Sequence, residues 1–295
     1  MPEGDTLHRA AARLDPALRG RVVTRFRAYR PELIFPDRTG RRVLGVEARG
    51  KNLLVHFDDR RSLWTHLGMS GLWQLTAPGE RWRRPAHRAR IVVANEVAEA
   101  VCFDPPDVAL LTEPELARHR VLARLGPDLL AADFDRAEAL RRLTTDADRP
   151  LGEAVLDQRL VAGIGNVYKS EMLFLTRLDP RAPVGTIALE RLDVLLRATR
   201  RMMQRNLGPH PRRTREGRGP RYWVYGRAGL GCPRCHTRIE MQRLGTTGRS
   251  SYLCPRCPSG PGAGPSATAP PANPPPVVTT GKVGSRGPVT GRRAR

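Results

Sequence analysis

Pro2 and Glu3 stand at the start of the chain, in the segment Met1–Asp5 that reads MPEGD. Removal of Met1 is expected because the second residue is small, and it would leave Pro2 as a free secondary amine with a carboxylate one residue away. Such an amine can attack a sugar carbon and hold it as an iminium ion, which is Schiff-base catalysis. The alternative is that both residues only begin a helix, because Pro and acidic residues suit a first helical turn.

Four of the five cysteines form two Cys-x-x-Cys pairs separated by 18 residues. Two residues between paired thiolates allow both sulfur atoms to face one tetrahedral site, and the chain shows no export signal that would favour disulfides. Four protein ligands leave no open position on the ion, so the site would be structural. His236 follows one of the cysteines, but the four sulfur atoms suffice, and we expect His236 at the surface. The sequence therefore predicts one structural Zn²⁺ ion held by Cys232, Cys235, Cys254 and Cys257.

Two further segments could bind a phosphate. Arg249 follows Gly245–Gly248, the expected turn of the metal module, although it could equally be an ordinary solvated arginine. The run Gly163–Asn166 (GIGN) separates two amphipathic helices, where glycine allows a tight turn and Asn166 could cap the second helix. The free N–H groups of that helix start would form an anion site. Taken alone, this run is also compatible with a plain helical hairpin.

The charge of the chain indicates a polyanionic partner. It carries 51 Lys and Arg against 29 Asp and Glu, a formal net charge of +22, and neutralising phosphates releases counterions and drives binding. No stretch approaches the 18 apolar residues of a membrane span and no secretory leader follows Met1, so we expect a soluble cytoplasmic protein. The aromatic content of 5% argues against binding that depends on stacking many bases.

Periodicity predicts an order of one helix, then strands, then helices. Apolar residues at helical spacing predict a helix over residues 4–18. Short apolar runs then predict a β-sandwich or flattened barrel, with hairpin-turn candidates at Asp58–Asp59 and Pro78–Gly79. The predicted strands include Arg42–Val46, Asn52–Phe57, Leu72–Leu75 and Arg90–Val93, and the predicted later helices are Glu115–Leu125, Asp135–Leu143, Leu151–Leu160 and one from an N-cap at Thr186 to Gly208.

These patterns predict an α+β multidomain chain with an N-terminal β-sandwich, a helical domain and a small metal module. The predicted divisions are a sandwich over residues 1–112, a linker over 113–125, a helical domain over 126–215 and a finger over 216–258. Residues 259–295 contain 15 Pro or Gly and no acidic or aromatic residue, so we expect a disordered tail. Its five basic residues leave +17 on the rest of the chain.

Four separated motifs together resemble one family. Met1–Asp5, Arg49–Leu54 (RGKNLL), Gly163–Asn166 and Tyr225–Arg227 before the four-cysteine module are similar to the formamidopyrimidine-DNA glycosylase/endonuclease VIII family of base-excision repair enzymes. The resemblance covers residues 1 to about 258. It implies a β-sandwich capped by the first helix, a helix–two-turn–helix domain ending in a zinc finger, and DNA in the cleft between the two halves.

The resemblance also implies catalytic roles. Pro2 would be the nucleophile that attacks C1′ of the damaged nucleotide, and Glu3 the acid/base that assists sugar-ring opening. Lys51 would donate a proton during β-elimination, and Arg249 would grip phosphate and serve δ-elimination.

Contacts with DNA follow from the same resemblance. A base inside a duplex is unreachable, so the nucleotide must be flipped out while the flanking phosphates are held. Asn166, Arg124 and His66 match phosphate contacts, and Met69 matches a side chain that fills the space left by the flipped base.

The expected substrate is an oxidised pyrimidine. The purine-specific branch carries a loop with an Arg and a Phe wedge, but the matching stretch here, Phe103–Val108 (FDPPDV), has neither. Asp5–Thr6 also favours the endonuclease VIII branch, although Gly68 replaces a polar residue of that branch. Purine specificity (8-oxoguanine or formamidopyrimidine) and an abasic-site preference stay open.

The sequence thus predicts a bifunctional DNA glycosylase/AP lyase that acts as a monomer on damaged double-stranded DNA. One alternative is a non-catalytic binder of damaged DNA, which could dispense with Glu3 and Lys51. Another is a ribosome-associated zinc-ribbon protein, which would not need Pro2, Glu3 or a β-sandwich.

Overall fold

The computed structural model describes residues 1–29, 35–244 and 248–258. These residues belong to one unit, Met1–Pro261. The predicted tail, residues 259–295, lies outside the described residues, and so do positions 245–247 of the predicted finger turn.

Helix α1 spans Gly4–Leu18, as its periodicity predicts. Leu7, Leu14 and Leu18 recur on one face and are almost fully buried. They form part of the sandwich core together with side chains from both sheets. Because burial of apolar surface stabilises the fold, α1 is held against the sandwich from its first turn onward.

Among the described residues, eight antiparallel strands form the predicted sandwich: β1 (Arg25–Ala28), β2 (Val43–Arg49), β3 (Asn52–Phe57), β4 (Arg61–His66), β5 (Leu72–Thr76), β6 (Ala89–Ala94), β7 (Glu99–Phe103) and β8 (Asp107–Thr112). One four-stranded sheet has the order β2-β3-β4-β8 and the other has the order β1-β6-β7-β5. Asp58–Asp59 lies in the turn between paired strands β3 and β4, as predicted. Pro78–Gly79 also forms a turn, but the expected hairpin is wrong, because the strand before it pairs with β7 and not with the next strand along the chain.

Among the described residues, five helices follow the sandwich, and the last four of them share a second apolar core. Tyr168 and Leu196 are fully buried in it. The helices are α2 (Glu113–Arg118), α3 (Arg136–Leu143), α4 (Leu151–Ala154), α5 (Asn166–Leu175) and α6 (Leu189–Arg205), and short 3₁₀ turns lie at Leu122–Arg124 and Val184–Thr186.

Two of the predicted helices are shorter than their apolar spacing indicates. Of the predicted helix Glu115–Leu125, only the part that lies within α2 is α-helical. A capping box at Thr112 starts α2, and the helix ends where the backbone becomes extended at His119. Leu151–Leu160 is helical only as α4. Beyond it the Asp157 carboxylate accepts the backbone N–H of Arg159 at 3.0 Å, and such local side-chain bonds compete with a helix.

The final helix also begins later in the chain than the sequence pattern predicts. The hydroxyl of Thr186 donates to the Pro183 carbonyl at 2.7 Å, inside the 3₁₀ turn. Ala188 therefore occupies the N-cap position, and α6 ends at Arg205, before the predicted end at Gly208.

The C-terminal module is a hairpin of β9 (Glu240–Leu244) and β10 (Arg249–Leu253) beside the four cysteines. Phe174 of α5 joins its small apolar cluster with Val224 and Ile239. Among the described residues, no helix combines the length and the apolar character needed to span a bilayer.

Candidate active site

The tip of the β2–β3 hairpin carries Lys51 into a cleft. Gly50 adopts a φ of 59°, which favours glycine in this two-residue turn. Its N–H donates to Asp128 Oδ2 at 2.7 Å, and His8 Nε2 lies 3.0 Å from the same oxygen. Asp128 therefore fixes the hairpin against α1 and the helical part of the chain. Burial lowers the pKa of Lys51 to about 8, although the charge of Glu3 acts in the opposite direction.

Glu3 is completely buried, and its carboxylate caps α5. It accepts the backbone N–H groups of Gly165 at 3.2 Å, Val167 at 2.8 Å and Tyr168 at 3.2 Å. Two expectations are corrected by this arrangement. Gly165, not Asn166, is the N-cap residue of α5, and the N–H groups expected to bind phosphate are already paired with a side chain of the protein.

The motifs Met1–Asp5 (MPEGD) and Gly163–Asn166 (GIGN) contact each other through one glycine of each. Gly4 N–H donates to the Gly163 carbonyl at 2.9 Å. A Cβ atom on Gly4 would lie 2.9 Å from the Gly163 Cα, which is too close. Gly163 also has a φ of 104°, in the region that favours glycine. The two motifs are thus one contact between the N-terminus and the helical turn.

Asp5 forms a buried cluster that the sequence interpretation missed. Its carboxylate accepts Arg212 Nε at 2.8 Å and the hydroxyl of Tyr168 at 3.2 Å. Arg212 comes from the Pro- and Gly-rich segment 209–220, and it is 8% exposed. Burial raises the pKa of Tyr168 well above its usual range, and the charge of Asp5 adds to that shift.

Helix α5 also holds the strand that carries Arg249. Asn166 Nδ2 donates to Ser250 Oγ at 2.9 Å, and Lys169 Nζ donates to the Ser250 carbonyl at 2.8 Å. Ser170 Oγ accepts the N–H of Tyr252 at 3.3 Å. Burial lowers the pKa of Lys169 to about 8, and the charge of Arg249 lowers it further. The buried Asn166 Oδ1 has no hydrogen-bond partner within the described part of the chain.

His66, Met69 and Arg124 line the same cleft. His66 ends β4, and burial lowers its pKa. The Met69 side chain is 64% exposed. Its loop is braced at Gly68, where a Cβ atom would lie 2.7 Å from Pro106 Cγ in the short β7–β8 loop. Arg124 is exposed at the end of a 3₁₀ turn.

One cleft of about 660 Å³ joins these groups. Seven of the eight predicted catalytic and DNA-contacting residues line it, and Glu3 is buried beside them. The seven are Pro2, Lys51, His66, Met69, Arg124, Asn166 and Arg249. The structure therefore brings these residues together, whereas their chemical roles stay predictions.

Comparison with known proteins gives a family. A relative from Streptomyces coelicolor, named probable endonuclease 8 2, is 43% identical over 264 residues, which are 88% of this chain and 95% of the relative. The chain belongs to the formamidopyrimidine-DNA glycosylase/endonuclease VIII family. The family model of the formamidopyrimidine-DNA glycosylase N-terminal domain matches residues 1–106, and that of the H2TH domain matches residues 125–213.

Two further comparisons concern the sequence and the fold. The DNA-(apurinic or apyrimidinic site) lyase Nei2 of Mycolicibacterium smegmatis is 40% identical over 261 residues, 87% of this chain and 98% of the relative. The fold is that of the Lactococcus lactis formamidopyrimidine-DNA glycosylase bound to DNA containing an abasic site. That structure has a TM-score of 0.71 at 20% identity, over 86% of this chain and 98% of the other.

The four cysteines predicted to be metal ligands do form one cluster. Their sulfur atoms all lie within 4.8 Å of one another, and three pairs are separated by 3.4, 3.5 and 3.7 Å. Tetrahedral coordination with Zn–S bonds of about 2.3 Å needs sulfur separations of about 3.8 Å. The cluster therefore fits one metal ion with four thiolate ligands. His236 is exposed and lies outside the ligand group, as predicted.

The sequence interpretation missed the buried charged residues that hold the family motifs together. Glu171 accepts the N–H groups of Trp223, Val224 and Tyr225 at 2.7–2.8 Å and so fixes the segment before the finger. Lys169 could have been noticed, because it lies one helical turn after Asn166 on the same face. Arg212 gave no signal, because nothing local in an Arg-rich segment marks the one arginine that is buried.

Proposed function

We propose that the chain is a bifunctional DNA glycosylase/AP lyase of base-excision repair that removes oxidised bases, with oxidised pyrimidines favoured. The observation that carries the proposal is the single cleft shared by Pro2, Lys51 and Arg249, with Glu3 buried beside it. The names of the relatives, which include endonuclease 8 and an abasic-site lyase, support the same activity.

The reaction begins at the N-terminus. Once Met1 is removed, the Pro2 amine attacks C1′ of the damaged nucleotide, the N–C1′ bond forms and the base leaves with a proton. Glu3 assists sugar-ring opening by proton transfer, and the product is an iminium ion that links Pro2 to the sugar. Borohydride reduces such an ion to a stable amine, so the intermediate can be captured.

Strand cleavage follows from the iminium ion. Loss of a C2′ proton expels the 3′ phosphate in β-elimination, and a second elimination expels the 5′ phosphate. The Lys51 pKa of about 8 leaves its ammonium mostly charged at pH 7 yet able to release a proton. Arg249 balances the charge of the departing phosphate, and hydrolysis of the iminium ion frees Pro2.

DNA binding relies on groups that line the cleft. We propose that Arg124, Asn166 and His66 hold the phosphates beside the flipped nucleotide, and that Met69 fills the vacated space. The L. lactis structure with abasic DNA supports damaged DNA as the partner. We further propose that the chain is a monomer, that it works on the bacterial chromosome in the cytoplasm and that the finger metal is zinc.

Oxidised pyrimidines are proposed because the β7–β8 loop has only three residues, Asp104–Pro106, and supplies neither an Arg nor an aromatic wedge. Purine specificity is the second candidate, since relatives named formamidopyrimidine-DNA glycosylase include one from Paracoccus denitrificans that is 35% identical over 280 residues.

The test is a cleavage panel with duplexes that contain thymine glycol, 8-oxoguanine or a plain abasic site, together with borohydride trapping. We expect thymine glycol to be cut faster than 8-oxoguanine, and a covalent adduct that Pro2→Gly abolishes. Faster cutting of 8-oxoguanine would support the purine alternative. Binding without any adduct would show a non-catalytic relative.

A further inference from the structure

Arg212 lies beside the nitrogen atom that the proposed reaction uses. Its Nη1 donates to the Met1 carbonyl at 3.3 Å, and the carbon of that carbonyl is bonded to the Pro2 nitrogen. Its Nη2 donates to Thr6 Oγ1 at 2.8 Å, and Nε donates to Asp5 at 2.8 Å. The guanidinium also lies over the Tyr168 ring, 5.2 Å from its centroid. The bond to the Met1 carbonyl is lost when Met1 is removed, but it shows that the guanidinium lies beside the Pro2 nitrogen. The contacts with Asp5 and Thr6 remain and anchor the start of α1.

The orientation of the Asp5–Arg212 ion pair determines which of its two charges faces the N-terminal segment. Asp5 contacts the Nε and Nη2 side of the guanidinium, whereas Nη1 faces Met1. The positive side of the pair is therefore turned toward the terminal segment, and its negative side is turned away. Burial lowers the pKa of Arg212, but the hydrogen bond to Asp5 and the charges of Glu3 and Asp5 raise it well above its usual range, so the guanidinium stays charged.

The remaining charges around Pro2 come from every element that lines the cleft. Glu3, which follows Pro2 in the chain, has its carboxylate engaged by three N–H groups at the start of α5, and its Oε1 lies 4.0 Å from Arg212 Nη1. Cationic groups outnumber the carboxylates, because seven Lys and Arg side chains line the cleft. The charged or titratable groups are Lys51 of the β2–β3 turn, His66 of β4, Arg120 and Arg124 before α3, Arg149, Glu153, Asp157 and Arg159 around α4, Lys169 of α5, and Arg249 of β10. Tyr222 and Tyr225 interact electrostatically with Glu3 and Arg212.

We infer that Arg212 is a positioning residue for the Pro2 amine: it fixes the N-terminal segment in the cleft, and its charge favours the neutral, nucleophilic form of that amine. The inference rests on the proposed Schiff-base function. A secondary amine attacks only when its nitrogen is unprotonated, and a neighbouring positive charge disfavours protonation. Arg212 does not touch the substrate; it acts through Pro2.

The experiment measures the initial rate of adduct formation with an abasic duplex against pH, with cyanoborohydride as the trap. Mass spectrometry first confirms that the purified protein has lost Met1. The acidic limb of the profile reports deprotonation of the attacking amine. Arg212→Met should move its midpoint up by about one pH unit and lower trapping at pH 7 by about tenfold, with recovery at pH 9. Arg212→Lys, which keeps the charge, should stay near the wild-type midpoint.

For a second variant, we expect the midpoint of the acidic limb to shift in the opposite direction. Asp5→Asn removes the negative charge that balances Arg212, so the acidic limb should move to lower pH. Arg38→Met is the matched control, because Arg38 is also buried and ion-paired, with Asp59, but does not line the cleft. It should lower stability and leave the midpoint unchanged. If Arg212→Met fails to fold, Asp5→Asn and Arg212→Lys still carry the test.

Failure of the inference about Arg212 can be distinguished from failure of the proposed function. An unchanged acidic limb in Arg212→Met, or an upward shift in Asp5→Asn, would overturn the role of Arg212 while the wild-type adduct still supports the enzyme. Absence of any adduct from wild-type protein that lacks Met1 would overturn the proposed function itself.

Discussion

Gly165 approaches Glu3 so closely that a Cβ atom on Gly165 would lie 2.4 Å from the Glu3 carboxyl carbon. Gly165 has a φ of −121°, which any residue adopts, so backbone strain does not explain the glycine. The buried carboxylate explains it, because only a residue without a side chain lets Glu3 reach the first turn of α5.

Gly165→Ala should therefore displace Glu3 without straining the backbone. We expect a loss of about 1–3 kcal/mol in the free energy of unfolding, as for other overpacked sites, and a much larger relative loss of borohydride-trapped adduct. Urea unfolding and trapping on an abasic duplex measure the two effects. Gly208→Ala is the control, since no atom lies within 4 Å of its Cβ position. Full activity in Gly165→Ala would contradict the placement of Glu3.

Lys51 should set the alkaline limit of strand cleavage. Because its pKa is lowered to about 8, the ammonium that donates the proton is lost as pH rises through that value. Cleavage rates should fall above about pH 8. Lys51→Arg stays charged, so its residual activity should lack this limb. Lys169 has a similar pKa, and Lys169→Met is the comparison: if it removes the limb and Lys51→Arg does not, the assignment is wrong.

Arg249 should contribute one phosphate contact. Its replacement by Ala should weaken DNA binding at low salt and reduce the dependence of log K on log salt concentration by about one. Titrations of duplex at several salt concentrations measure this slope. Arg243→Ala serves as the control, because Arg243 is exposed in the same hairpin and its Nη1 donates to the Gly248 carbonyl at 3.1 Å. Equal slopes in the two variants would show that Arg249 has no special contact.

Removal of the metal ion should abolish strand cleavage, although the four cysteines do not line the cleft. Structural zinc contributes directly to the folding of small modules, and chelation releases it. Loss of the finger would free Ser250 from Asn166 and Lys169, and with it Arg249. We expect one zinc per chain by elemental analysis, and loss of both zinc and cleavage in Cys254→Ser. A cleavage-competent protein without bound metal would contradict this prediction.

Periodicity and motif spacing were enough to predict the sandwich, the order of elements and the four-cysteine cluster. Those features follow from local rules, such as the spacing of Leu7, Leu14 and Leu18 or of two Cys-x-x-Cys pairs. The sequence also identified seven residues that meet in one cleft. It missed helix ends such as that at Thr186, where a hydroxyl serves a different turn.

The larger omission was the set of buried ion contacts. Asp5 and Arg212 are 207 residues apart, and no local pattern links them. Asn166 resembled a helix cap, but the cap is Glu3, which is 164 residues before Val167. Such pairings depend on how the two cores pack together, which periodicity does not report. The division of the chain at residues 112, 125, 215 and 258 also stays a prediction.

The contacts of α5 have a consequence for biosynthesis. The ribosome makes Glu3 among the first residues and Ser250 more than two hundred residues later, yet both contact one short helix in the middle of the chain. A nascent polypeptide can fold its sandwich early, but its DNA-facing groove is incomplete until the last strand emerges. Chains that terminate before Arg249 would therefore lack this arginine and its supporting strand.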